Sequence, residues 1–117
     1  MDSLTIFKSN EATKKFISVQ EEAAYEELRL LYKAKIVRAM YLDGKGGVTL
    51  PTNPASVVLD SALSDAIASV RQLCTMSPND VAHDVIDEWE GSDWPAKIKE
   101  DEYNVKIYFF NDFNKKD

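Results

Sequence analysis

The segment from Val19 to Leu42 constrains this chain more than any other, because it reads as one long helix with too much apolar surface to leave in water. Ser18 with Glu21 three residues on has the form of a capping box, and Asp43-Gly44 is a helix stop. Glu21, Glu22, Glu26 and Glu27 fill the first half, and Arg29, Lys33, Lys35 and Arg38 the second. That order complements the helix dipole, which favours acids at the start and bases at the end. Ala24, Leu28, Leu31, Tyr32, Ala39 and Leu42 form one apolar stripe at 3–4 spacing, interrupted by Lys35. Ala23, Leu30, Ala34, Val37 and Tyr41 form a second, and the wettest strip is Glu22, Glu26, Arg29 and Lys33. A helix with two apolar stripes is either central in its domain or shared with another subunit. Leu30, Ala34, Val37 and Tyr41 are the candidate oligomer interface.

Around this helix the pattern predicts smaller elements. Leu4–Phe7 suits a short strand, and Ser9 or Asn10 can cap a short helix through Phe16 and Ile17. After the loop Gly44–Asn53, Asn53-Pro54 supplies an N-cap and first-turn proline. The helix that follows puts Leu59, Leu63, Ala66, Ile67, Val70, Leu73 and Cys74 on one face, opposite small polar residues. Ser77-Pro78-Asn79-Asp80 caps a further helix reaching about Glu90. Lys97–Glu102 reads as a charged connector. Tyr103, Val105, Ile107 and Phe109 alternate with Asn104, Lys106, Tyr108 and Phe110 at the period of a strand. That strand needs a partner. Leu4–Phe7 is the first candidate and Val48–Leu50 the other. The expected fold is α+β and mainly helical, with three to four helices and a small two- or three-stranded sheet near the chain ends. Residues 1–117 make a single compact domain.

Hydrophobic residues are 44% of the chain and charged residues 29%, an ordinary globular composition. Cys74 is the sole cysteine, so neither a disulfide framework nor a cysteine zinc site is available. The opening residues lack a basic-then-apolar signal pattern, and no apolar run approaches the roughly 18 residues that cross a bilayer. A cytoplasmic location is the expectation, with no membrane association.

The net charge of -6 is concentrated. Residues 77–96 hold six acids and no base, while the remainder of the chain balances. Direct nucleic-acid binding is disfavoured, since phosphate affinity needs clustered lysine and arginine. The complementary partner is a basic protein surface.

Within that segment, NDVAHDVIDEWEGSDW gathers Asp80, Asp84, Asp87, Glu88, Glu90 and Asp93 with the single histidine, His83. On a helix Asp80, His83, Asp84 and Asp87 fall within about a third of the circumference. Val81, Val85, Ile86 and Trp89 face the other way. His83 and Asp87 stand at i and i+4, a spacing that could hold a divalent cation, but no second histidine supports them. Acid–base catalysis would need a buried carboxylate, and this face reads as wet. Asp80–Asp84 and Asp84–Glu88 are like-charge pairs costing a few tenths of a kcal/mol each. That cost is useful if a basic surface must be found quickly. Trp94, at the end of the acidic segment, is a candidate interface anchor.

Asp43-Gly44-Lys45-Gly46-Gly47 matches neither a phosphate loop nor a calcium loop: no Ser or Thr follows Lys45, and ligand positions fall on Lys45, Gly47 and Pro54. It reads as a glycine-rich helix stop. Cys74 continues an apolar stripe, and no serine sits in a nucleophile elbow. With no cofactor motif, the residues favour a non-enzymatic inhibitor or adaptor. Its acidic helix (Asp80, Asp84, Asp87, Glu88, Glu90, Asp93, Trp94) would meet a basic surface on a nucleic-acid-handling complex. Phage counter-defence proteins such as anti-CRISPR or anti-restriction factors resemble it in size and charge only, and host cytoplasm would then be the location. Second comes a homo-oligomeric assembly protein, in the simplest case a homodimer. Third is a small metal-dependent hydrolase built on His83 and its carboxylates.

Overall fold

The computed structural model describes residues 19–57, 59–89 and 94–109. The expected strand Leu4–Phe7, the short helix through Phe16 and Ile17, the Ser18 cap, and Glu90 and Asp93 lie outside these residues. The described chain is α+β and mainly helical, as expected. Helix α1 (Val19–Val37) continues into a π-helical turn, Arg38–Leu42. Strand β1 (Gly47–Pro51) follows, then helices α2 (Ser61–Leu73) and α3 (Pro78–Asp87), then strands β2 (Lys97–Glu100) and β3 (Asn104–Tyr108).

Helix α1 packs against α2, α3 and β1, and is the central element. Its inner stripe, Ala24, Leu28, Tyr32, Ile36 and Ala39, is buried with Leu63, Ile67 and Val70 of α2 and Val81 and Val85 of α3. The sheet is antiparallel in the order β1-β3-β2. Opposed pairs Leu50–Val105, Val48–Ile107 and Ile98–Ile107 share one face, which joins the core. Thr49, Lys99 and Lys106 share the wet face. β3 therefore takes Val48–Leu50, the second candidate partner, along one edge and β2 along the other.

Two expectations change. Lys97–Glu100 is a strand rather than part of a connector: β2 and β3 form a hairpin around Glu102-Tyr103. Asp101 holds the turn by accepting from the N–H groups of Tyr103 and Asn104 at 2.8 and 3.0 Å. These bonds hold its carboxylate below its usual range. Asn53-Pro54 opens only a single 3-10 turn, Pro54–Ser56. The α-helix starts later, where Asp60 caps Leu63 N–H at 3.1 Å. Leu59 precedes it with a positive φ of 64° and is exposed, so it is not part of the α2 apolar face. Leu73 is exposed as well. Among the described residues no helix is long and apolar enough to cross a membrane.

Candidate functional site

Helix α3 forms where the sequence placed it, with Ser77 and Asp80 exchanging the two hydrogen bonds of a capping box. Its acids are not a free row. Asp80 is used in that cap. Asp84 accepts a hydrogen bond from Tyr25 Oη of α1 at 2.8 Å. Burial, followed by the bond and charge of Asp84, pushes the Tyr25 phenol far above its ordinary value. Glu88 receives Arg29 at 2.5 Å and Lys33 at 3.1 Å, both from α1. Burial raises the Glu88 carboxyl, but these two cations outweigh it and leave it lowered. The expected like-charge cost at Asp84–Glu88 is thus met by a phenol and two cations from the neighbouring helix. Asp87 remains exposed.

His83 turns to the sheet, where Nε2 donates to Glu100 Oε2 at 2.8 Å while Asn79 Nδ2 donates to Oε1 at 3.1 Å. Among the described residues no three His, Cys, Asp or Glu side chains converge as a metal site. Trp94 is partly buried: its indole N–H donates to the Ile86 carbonyl at 3.0 Å, and its ring lies against Phe109 and Trp89. It packs the end of α3 against Phe109, just after β3.

The second stripe of α1 behaves differently. Leu30 is 54% exposed, Tyr41 65% and Leu42 72%, and Ala23 and Ala34 are also exposed. Val37 is half-buried. The four interface candidates Leu30, Ala34, Val37 and Tyr41 therefore lie along the outer side of α1. Leu42, expected on the inner stripe, joins them. The widened turn Arg38–Leu42 accounts for that shift, because its chain closes five residues back, from Asp43 N–H to Arg38 carbonyl at 2.9 Å.

One feature has no counterpart in the sequence reading. Lys35 near the end of α1, Arg38 in the π-helical turn, Lys45 in the glycine turn and Lys106 on β3 surround a cavity of about 720 Å³. These residues are up to 71 positions apart, so only the fold brings them together. No protein-family model matches the chain, and no curated protein and no solved structure matches it either.

Proposed function

We propose that this chain is a non-enzymatic binding protein that self-associates through the outer face of α1, with a second copy of itself as the occupant. The carrying observation is the exposed stripe of Leu30, Ala34 and Tyr41 on the one helix whose opposite side is the centre of the core. Large exposed apolar residues aligned on one face mark an interaction surface. The stripe is complementary to itself when two copies run antiparallel about a two-fold axis outside the stripe, level with position 32. Leu30 of one copy then opposes Ala34 of the other, and Tyr41 opposes Ala23, large against small each time. Glu27 and Arg38 flank the same side of the stripe, and the same operation brings opposite charges together. An inhibitor or adaptor role through α3 draws less support, since Asp80, Asp84 and Glu88 are already bonded within the fold.

Sedimentation equilibrium over a wide concentration range tests this. The wild type should approach twice the chain mass of 13.2 kDa. Ala34→Glu should be monomeric with an unchanged circular dichroism spectrum, as should Leu30→Lys. Mixing the two variants should restore a dimer, because residues 30 and 34 face each other only in the antiparallel register. A wild type that stays monomeric at the highest concentration overturns the proposal.

A further inference from the structure

The cavity between the end of α1 and the edge of β1 offers a second activity, and of its cations only Arg38 also flanks the self-association stripe. Four cations, Lys35, Arg38, Lys45 and Lys106, border it against one carboxylate, Asp43. The local balance is +3 in a chain whose net charge is -6. Asp43 compensates little, as its Oδ2 lies 3.7 Å from Arg38 Nε and Arg38 is largely exposed.

Backbone geometry adds donors. The bonds from Thr52 N–H to Tyr103 carbonyl and from Phe109 N–H to Gly46 carbonyl fix which residues of β1 face β3. They are the even-numbered ones, so the N–H groups of Gly47 and Thr49 point out from the free edge beside the cavity. Arg38 sits in a π-helical turn, a rare geometry concentrated at functional sites. The volume falls within the roughly 300–1,000 Å³ of small-molecule sites.

We infer that this cavity binds a compact polyphosphate anion, free or carried by a nucleotide. Three or four closely spaced negative charges match the cations, and guanidinium, ammonium and outward N–H groups are phosphate donors. A long polyanion gains less, because the four cations are gathered around one cavity rather than spread along a track. An added peptide strand fits poorly too. Pro51 ends the free edge after two outward-facing residues, and its carbonyl is taken by Tyr32.

The test is a titration of the isotope-labelled full chain with sodium tripolyphosphate, ATP and a single-stranded oligonucleotide at constant ionic strength, followed by amide shifts. Saturable shifts at residues 45–49 and 106–108 are expected with tripolyphosphate or ATP. If ATP binds more tightly the source is a nucleotide; if not, it is the free polyphosphate. Lys45→Gln and Lys106→Gln, both exposed and outside the α1 stripe, should each weaken binding about tenfold, as expected for one charge-assisted hydrogen bond. Arg71→Gln on α2 should leave it unchanged. Non-saturating shifts, equal weakening by Arg71→Gln, or tighter binding of the oligonucleotide would each overturn the site. None of these variants alters Leu30 or Ala34, so failure here leaves the dimer test intact.

Discussion

Tyr32 sits fully buried midway along α1, and its hydroxyl donates to the carbonyl of Pro51 at the end of β1. Burial pushes the phenol far above its ordinary value, so the group stays a donor throughout the working pH range. The bond fastens the central helix to the sheet, and it satisfies a carbonyl whose own residue has no N–H to pair. Tyr32→Phe keeps the ring and its packing but leaves that carbonyl without its partner. The expected loss is about 1–2 kcal/mol, within the cost of stranding a partly buried acceptor. Urea unfolding at neutral pH measures it. A loss near zero would mean that water replaces the hydroxyl and that packing alone holds α1 to β1.

At the scale of elements, the glycine turn between α1 and β1 shows two different demands within four residues. Gly44 has φ of 63°, and a Cβ there would meet nothing within 4 Å. Gly44→Ala should therefore cost only its backbone conformation, about 1 kcal/mol. At Gly47 a Cβ would lie 2.5 Å from the Ile107 carbonyl oxygen, so β1 and β3 would have to part. Gly47→Ala should cost about 2–3 kcal/mol, as overpacking against rigid backbone does. Thermal melts of the two variants check the order. If Gly44→Ala proves the more costly, the close approach of the strands is not what selects glycine at 47. The sequence signalled a turn here but could not separate these demands, because the second depends on a strand 60 residues away. The same limit explains what was legible elsewhere. Helix α3 carries its own cap, and both α1 and α3 carry their own periodicity. Lys97–Glu100 hides as a strand because only Ile98 of its four residues is even half-buried, and its hairpin is turned by Asp101 without glycine. The acids of α3 were visible as a row, but Tyr25, Arg29 and Lys33, which meet Asp84 and Glu88, stand 55–59 residues earlier. The cations of the cavity had no local pattern at all.

For the molecule as a whole, α3 is the element whose attachment depends most on ionised carboxylates, and it is tied in two directions. Glu88 holds it to α1 through Arg29 and Lys33. Glu100 holds it to the sheet through Asn79 and His83. Hydrogen bonds from Asn79 and then His83 lower the Glu100 carboxyl from its ordinary 4.5, and Glu88 is also lowered from 4.5. A carboxylate with a lowered folded pKa contributes stability that is fully present above its unfolded value. That contribution is lost as pH falls through the folded value. Both ties should therefore weaken together below about pH 4.5, loosening α3 before the apolar packing of Val81 and Val85 gives way. Amide hydrogen exchange along residues 81–88, followed from neutral pH downward and corrected for intrinsic rates, should show protection falling there first. A Glu88→Gln/Glu100→Gln variant should start with lower protection and change little over the same acid range. The hairpin carboxylate Asp101 remains in that variant, so acid sensitivity confined to the β2–β3 turn should persist. If the double variant keeps the wild-type acid slope in α3, the two ties are not what acid breaks. Acid would then act through another group of α3, and the Asp84 carboxylate bonded to Tyr25 is the next one to vary.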